Sequence, residues 1–380
     1  MRLLVVGHSY VTPFAQAKYV VMKGLCSELE LRLVVPQAVR HMFAEYRPTL
    51  AAGLTAEDLV VLPSFGGGSN MTYALDPVRL GNLIRGFEPT HLHIEEDPHS
   101  VVGFETTWLA SALCPRAALS YFLWDNINRK PPFPLGAIKR ALTRFGLSRA
   151  RLVVCGNCDG QALLAAKGYH GASEVIPQIG LDVDRVADRA DHRSACSTDG
   201  VPTIGFFGRL VAEKGVLDLL NALQRLMDRQ WRLVVAGDGP LRLHLETTWQ
   251  PQFGGRLVLL GPISHADVQA HLSQVDVFVL PSYSMPEWKE QFGITLVQAM
   301  LAGCACIGST CGAIPEVLDG HGVIFPERDV SALAAALRLL LETPHERQRL
   351  GAEARDFAAN RYSNEAVARS YLRAFEAIAN

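Results

Sequence analysis

Short apolar runs recur along the whole chain, separated by stretches with helical spacing, and this alternation constrains the fold more than any other feature. Uninterrupted apolar runs belong to strands buried on both faces of a parallel sheet. Their alternation with helical patterns is the signature of parallel β-α-β construction. A first series of strands is expected at 3–6, 32–35, 58–62, 91–94, 118–123, 152–154 and 174–177, and a second at 203–207, 232–236, 256–260, 276–280, 304–308 and 322–325. Between them, residues 184–200 are polar and charged and read as a linker. The expectation is an α/β protein with two Rossmann-like, doubly wound domains facing a cleft, over 1–183 and 201–360. The 380 residues, about two and a half typical domains, are enough for both. The last stretch, 361–380, sets Val367, Tyr371, Leu372, Phe375 and Ile378 on one helical stripe.

Charge and cysteine content narrow the function classes. With 36 basic against 38 acidic residues there is no bulk field to gather nucleic acid. No apolar run approaches the roughly 18 residues of a membrane span, and the N-terminus reads as a strand running into a glycine turn rather than a signal peptide. The expected location is cytoplasmic, with peripheral contact at the inner membrane face left open. Eight cysteines in so long a chain suggest buried, reduced thiols, and Cys155-Gly156-Asn157-Cys158 has no second pair to complete a zinc site.

Two segments of the second half concentrate chemistry. In the first, Gly208-Arg209-Leu210-Val211-Ala212-Glu213-Lys214-Gly215 follows a strand and carries two cations five positions apart that can converge on one anion. In the second, Glu290-Gln291-Phe292-Gly293-Ile294 and Gln298 follow the strand that Pro281 ends. Ligands of open α/β sheets bind at such carboxyl ends of strands. Gly293 lets backbone approach a ligand, and a helix start behind it points N–H groups at an anion. Two more loops follow strands, Gly237-Asp238-Gly239-Pro240 and Gly261-Pro262-Ile263.

These segments resemble the Gly-Arg-Leu-x-x-x-Lys-Gly and Glu-x7-Glu motifs of retaining, GT-B-fold glycosyltransferases of family 4, the glycosyl transferases group 1. The likeness is strongest over 201–317. The resemblance implies that Arg209 and Lys214 grip a donor diphosphate and neutralise the leaving group, and that Glu290 holds hydroxyls of the donor sugar. It implies donor contacts from Gly208, Gly239, Ile263, Gln291, Phe292, Gly293, Ile294 and position 298, where the usual second Glu is Gln298. It also implies a last helix that crosses back to the N-terminal domain, no metal or cofactor, and a UDP- or GDP-sugar as co-substrate. The acceptor would be a glycan, a lipid-linked sugar or a small molecule. A sugar-nucleotide binder without turnover is the alternative that Gln298 raises. An oxidoreductase would need a G-x-G-x-x-G fingerprint after the first strand, and Gly7-His8-Ser9-Tyr10 lacks it.

The first half departs further from the family. His8, after the first strand, and the glycine loop 64–70 are expected to open toward the cleft. The cluster His91-Leu92-His93-Ile94-Glu95-Glu96-Asp97-Pro98-His99 could suggest a metal, but strand geometry sends neighbours to opposite faces. The resemblance instead places Glu96 or His99 in the cleft, and Asp125 and Asn126 near sugar hydroxyls. Residues 129–151 carry Arg129, Lys130, Lys139, Arg140, Arg144, Arg149 and Arg151 with no acid, interleaved with Phe133, Leu135, Ile138, Leu142 and Phe145. That segment reads as a surface for an anionic membrane or for a phosphorylated acceptor such as a polyprenyl diphosphate glycan, and equally as a solvated helix face packing on its own domain.

Overall fold

The structure is a computed structural model, and it describes residues 1–41, 44–66, 71–129, 131–183 and 200–379. The expected linker therefore lies almost wholly outside the described residues, as do Lys130 and positions 67–70 of the glycine loop. The chain divides into two compact units. The N-terminal unit comprises Met1–Gly180 with Asn364–Asn380, and the C-terminal unit Leu181–Ser363.

In the N-terminal unit seven strands form one sheet: β1 (Arg2–Val6), β2 (Glu30–Pro36), β3 (Leu59–Leu62), β4 (His91–Ile94), β5 (Ala118–Leu123), β6 (Leu152–Cys155) and β7 (Ala172–Val175). Their order is β7-β6-β5-β4-β1-β2-β3, with every pairing parallel. Apolar clusters cover both faces, one including Leu3, Val5, Leu33 and Phe122 and the other Leu4, Val6, Leu92 and Tyr121. This is why the strands read as unbroken apolar runs. β7 begins two residues before its expected start. It is a half-exposed edge strand whose register against β6, Leu152 opposite Ala172, is set by pairing rather than by apolar content.

The final helix, Asn364–Ala377, belongs to this unit. Val367, Tyr371, Phe375 and Ile378 are buried in the same cluster as Leu3, Val5 and Tyr19. Its start differs from the expected 361 because Ser363 takes an extended conformation and bridges Leu181, ending the preceding helix, Pro344–Tyr362.

The C-terminal unit holds six parallel strands, β8 (Thr203–Phe207), β9 (Arg232–Ala236), β10 (Leu257–Gly261), β11 (Val277–Leu280), β12 (Ala305–Ser309) and β13 (Val323–Phe325). Their order is β10-β9-β8-β11-β12-β13. Its core gathers Ile204, Phe206, Trp231, Leu233, Val277 and Ile307 with helix residues such as Leu219, Leu337 and Leu340. Cys304, Cys306 and Cys311 are buried, and the seven described cysteines are all thiols.

Each sheet thus reverses strand order at one point, between β1 and β4 in the first unit and between β8 and β11 in the second. Loops that leave the carboxyl ends of such neighbouring strands part in opposite directions, which is where ligands of this architecture bind.

Candidate active site

In the C-terminal unit the two loops at the reversal are those after β8 and β11. The β8 loop closes on itself through a short turn, Ala212–Lys214, and ends at Gly215, which starts the helix Val216–Gln224 with φ +72°. A Cβ at Gly215 would stand 1.9 Å from the carbonyl oxygen of Pro281, so only glycine lets this loop rest on the β11 loop. The N–H of Tyr283 donates to the Glu213 carbonyl at 2.9 Å, a second tie between the loops.

This seating brings Lys214 to Glu290. The Lys214 ammonium donates to Oε2 of Glu290 at 2.6 Å, and the Ser282 hydroxyl donates to the same oxygen at 3.0 Å. Lys214 also lies over the Trp288 ring, 5.0 Å from its centroid. Glu290 is buried, and its carbonyl accepts from the N–H of Ala313 at 3.0 Å, so both ends of the residue are held. Arg209 stands 3.7 Å from Glu213, and its side chain is 42 % exposed, leaving the guanidinium available to an anion. Gly293, with φ +77°, turns the chain into the helix Ile294–Leu301, which carries Gln298 on its buried side. Gln291, Phe292 and Ile294 flank that turn half-buried, and the Phe292 ring packs edge-on to Tyr362.

The glycine loops expected to follow the nucleotide are tied to this site in steps. Gly208 N–H donates to Ala236, Leu210 N–H to Asp238, and Gly237 N–H to Gly261, each at 2.8–2.9 Å. Gly208 and Gly239 thereby sit in touching loops, while Ile263 lies at the end of the edge strand β10.

The reversal in the N-terminal unit holds a different pair. Glu96 Oε1 accepts the His8 N–H at 2.8 Å, the Tyr73 hydroxyl at 2.7 Å and Nδ1 of His8 at 2.6 Å. Burial pulls the His8 pKa down, but Glu96 outweighs it and leaves it above the ordinary value. A proton held on Nδ1 leaves Nε2 as the ring atom that can meet a ligand. Directly beneath, Glu95 and Lys18 form a fully buried ion pair at 2.8 Å. Tyr19 and Gln178 donate to the same carboxylate, and the ring of Tyr371 from the final helix lies 4.0 Å from the ammonium. Glu95 is held well below the usual carboxylate range, because Lys18 and His93 outweigh its burial.

His99 and Asp125 fall in a neighbouring pocket with Asp97 and Lys167. Asp125 takes Arg129 at 2.9 Å and Lys167 at 3.3 Å. Burial, with Asp125 and Glu96 nearby, pushes the Asp97 carboxyl up to about 6. Burial beside Lys139 and Lys167 pushes His99 down to about 4. Asn126 is buried. Among the described residues no set of His, Cys, Asp and Glu has the grouping of a metal site.

Residues 201–343 match the family described as glycosyl transferases group 1. Over that segment the chain is similar to the family.

Sequence relatives include an alpha-D-kanosaminyltransferase of Streptomyces kanamyceticus, 28 % identical over 54 % of each chain. A phosphatidyl-myo-inositol mannosyltransferase of Mycobacterium leprae (strain TN) is 32 % identical over 55 % of each. The chain spans about half the length of the curated relatives it matches. Two solved structures share the whole architecture: HepE of Anabaena in complex with UDP, TM-score 0.71 at 16 % identity over 99 % of this chain and 100 % of that one, and a glycosyltransferase of Rickettsia africae ESF-5, TM-score 0.72 at 17 % identity over 99 % and 98 %. The two parallel sheets are those of the GT-B fold.

Within the C-terminal unit, the structure brings Arg209, Lys214, Glu290 and the loop of Gly208 to one strand reversal, and it adds partners that sequence reasoning passed over. Ser282 and Trp288 lie in the same loop as Glu290 and hold it and Lys214 in place. In the N-terminal unit the five candidates divide, with His8 on Glu96, His99 and Asp125 at the Asp97 pocket, and Asn126 buried. Glu96 is buried, and one of its oxygens accepts from the His8 N–H and the Tyr73 hydroxyl and meets His8 Nδ1. The overlooked signal there was Lys18, a cation on the buried stripe of helix Pro13–Leu25 with Ala15, Tyr19 and Met22.

Proposed function

We propose that this chain is a retaining glycosyltransferase of family 4 that moves a sugar from a UDP- or GDP-sugar to a glycan, lipid-linked or small-molecule acceptor. The observation that carries this reading is the Lys214–Glu290 contact beside Arg209 at the β8/β11 reversal. Two cations and a carboxylate within one crevice suit a substrate that is an anion at one end and a polyol at the other. Arg209 and Lys214 take the diphosphate and stabilise the charge that develops as the glycosidic bond breaks. These fixed cations supply the role a metal ion plays in other transferases, so the reaction proceeds without one. Glu290 accepts from sugar hydroxyls. Gln298 meets the ribose, and the backbone of Gly239 and Ile263 passes the base. Transfer with retention follows a front-side path in which the departing diphosphate helps remove the acceptor proton. The HepE neighbour was solved with UDP and with UDP-glucose, which supports a uridine donor.

The N-terminal unit then carries the acceptor, with His8 Nε2, His99 and Asp125 as its polar contacts. Thiols at all seven described cysteines suit the reducing cytoplasm, and no described helix is long and apolar enough to cross a membrane. Gln298 supports a second reading, a nucleotide-sugar binder without turnover, since a neutral amide grips ribose less well than a carboxylate.

Thermal shift with a panel of nucleoside diphosphates and nucleotide sugars, followed by assay for released nucleoside diphosphate, separates the readings. Selective stabilisation that Arg209→Ala abolishes, with turnover on an acceptor panel, supports the transferase. Binding without release across all acceptors supports the binder, and no binding by any nucleotide overturns both.

A further inference from the structure

We propose that the start of helix Leu135–Arg149 is a docking surface for an anionic lipid membrane. Sequence alone left residues 129–151 open between such a surface, a grip on a phosphorylated acceptor and an ordinary solvated helix. The structure separates these. Phe133 is 87 % exposed, Leu135 50 % and Ile138 53 %, so three large apolar side chains within six positions present half or more of their surface to solvent. Single exposed apolar residues are ordinary, whereas a cluster rimmed by charge marks an interaction site. The packed side of the helix is made instead by Gly136, Gly146 and Leu147.

The charge beside this cluster is of one sign. Arg140, Arg144 and Arg149 are exposed on the same helix, and no acid occurs from Arg129 to Arg151. Among the described residues no ion pair engages Arg140 or Arg144. Arg129 has its partner in Asp125, and Arg151 donates to the carbonyl of Ile378, so those two cations serve the fold. An aromatic tip with unpaired arginines behind it is complementary to a surface with anionic headgroups over hydrocarbon. A protein partner of matching acidity would meet the arginines equally, but the bare tip Phe133-Pro134-Leu135 offers no groove or hydrogen-bonding edge to recognise one. Neither donor binding nor turnover enters into this reading.

Co-sedimentation of the full chain with phosphatidylcholine vesicles, with and without phosphatidylglycerol, tests it. The expected result is sedimentation only with phosphatidylglycerol, weakening as salt is raised. Each basic residue at an anionic surface contributes about fivefold, so Arg140→Ala/Arg144→Ala should bind about twentyfold more weakly. Arg140→Lys/Arg144→Lys should bind like the parent. Phe133→Ser should lose about tenfold while keeping the salt dependence. Thermal unfolding of these surface variants, with and without nucleoside diphosphate, controls for folding. Absence of binding to anionic vesicles, or binding that either Arg140→Ala/Arg144→Ala or Phe133→Ser leaves intact, overturns the proposal. Concentration-dependent self-association that Phe133→Ser removes, without vesicle binding, overturns it in favour of a protein interface.

Discussion

Lys214 and Glu290 stand 76 positions apart in sequence and 2.6 Å apart in space. Without a ligand the two charges neutralise one another, and a diphosphate has to compete with Glu290 for the ammonium. Two substitutions should therefore act in opposite ways. Lys214→Ala removes a charge-assisted hydrogen bond of about 1.5–3 kcal/mol and should weaken nucleoside diphosphate binding by roughly tenfold to a hundredfold. Glu290→Gln frees the ammonium, so the bare nucleoside diphosphate should bind as tightly or more tightly while any preference for the sugar nucleotide is lost. Calorimetric titration of both variants with the two ligands checks this. Weaker binding of both ligands to Glu290→Gln would show that its carboxylate orders the diphosphate site instead.

Gln298 lies buried on the helix that Gly293 starts. A carboxylate there would accept from both hydroxyls of a ribose, but without ligand it would be a buried charge. Gln298→Glu is accordingly expected to lower the melting temperature of the free protein and to bind nucleotide about tenfold more tightly. Melting curves with and without saturating nucleoside diphosphate measure both effects at once. An unchanged affinity would remove position 298 from the ribose contact.

Gly215 is where the β8 loop rests on the β11 loop. Gly215→Ala forces a non-glycine residue to positive φ and drives its Cβ against Pro281, at a cost of at least ~1–3 kcal/mol. The Lys214–Glu290 contact depends on the same seating, so nucleotide affinity should fall with stability. Gly168→Ala also places a side chain at positive φ, but with open space around it, and serves as the control in urea unfolding.

The Lys18–Glu95 pair is fully enclosed, with Tyr10, Tyr19 and Tyr371 around the ammonium. Lys18→Met leaves Glu95 buried without its cation, and should cost about 3–5 kcal/mol of unfolding free energy. Lys18→Met/Glu95→Gln should regain part of that loss, since the isolated charge is gone. Denaturant titrations of the single and double variants decide it. Equal losses would mean that the pair matters for packing rather than charge.

Asp97 and His99 work against each other with pH. The Asp97 carboxyl titrates at about 6 in the folded chain against an ordinary 3.8, so the folded state keeps a proton that the unfolded state has lost, and stability falls as pH rises through that window. His99 titrates at about 4 against an ordinary 6.5, so the unfolded state gains a proton first, and stability falls as pH drops through nearly the same window. Asp97→Asn should therefore raise stability at neutral pH by ~1–3 kcal/mol. It should also expose the His99 effect as a steeper acid-side loss between about 6.5 and 4. Melting temperature against pH for the two proteins gives the result, and parallel curves would count against the shifted carboxyl.

By itself the sequence determined what neighbouring residues decide among themselves. Apolar runs buried on both faces wrote out the strands β1 and β8 to β13, because a parallel strand needs no alternation. Glycines at positive φ and cations close in sequence, as in Gly208–Gly215, could be read because each loop is a local object. Where local content was weak the reading slipped, at the half-exposed edge strand β7 and at Ser363, whose extended backbone divides two helices that share one helical pattern. Only the tertiary structure decided which loops meet. Lys214 reaches Glu290, and His8 reaches Glu96, because β8 lies beside β11 and β1 beside β4. Strand order of that kind follows from packing whole crossover units against a sheet. The same holds for Lys18, whose burial is stable only because Glu95 and Tyr371 arrive from the far parts of the chain.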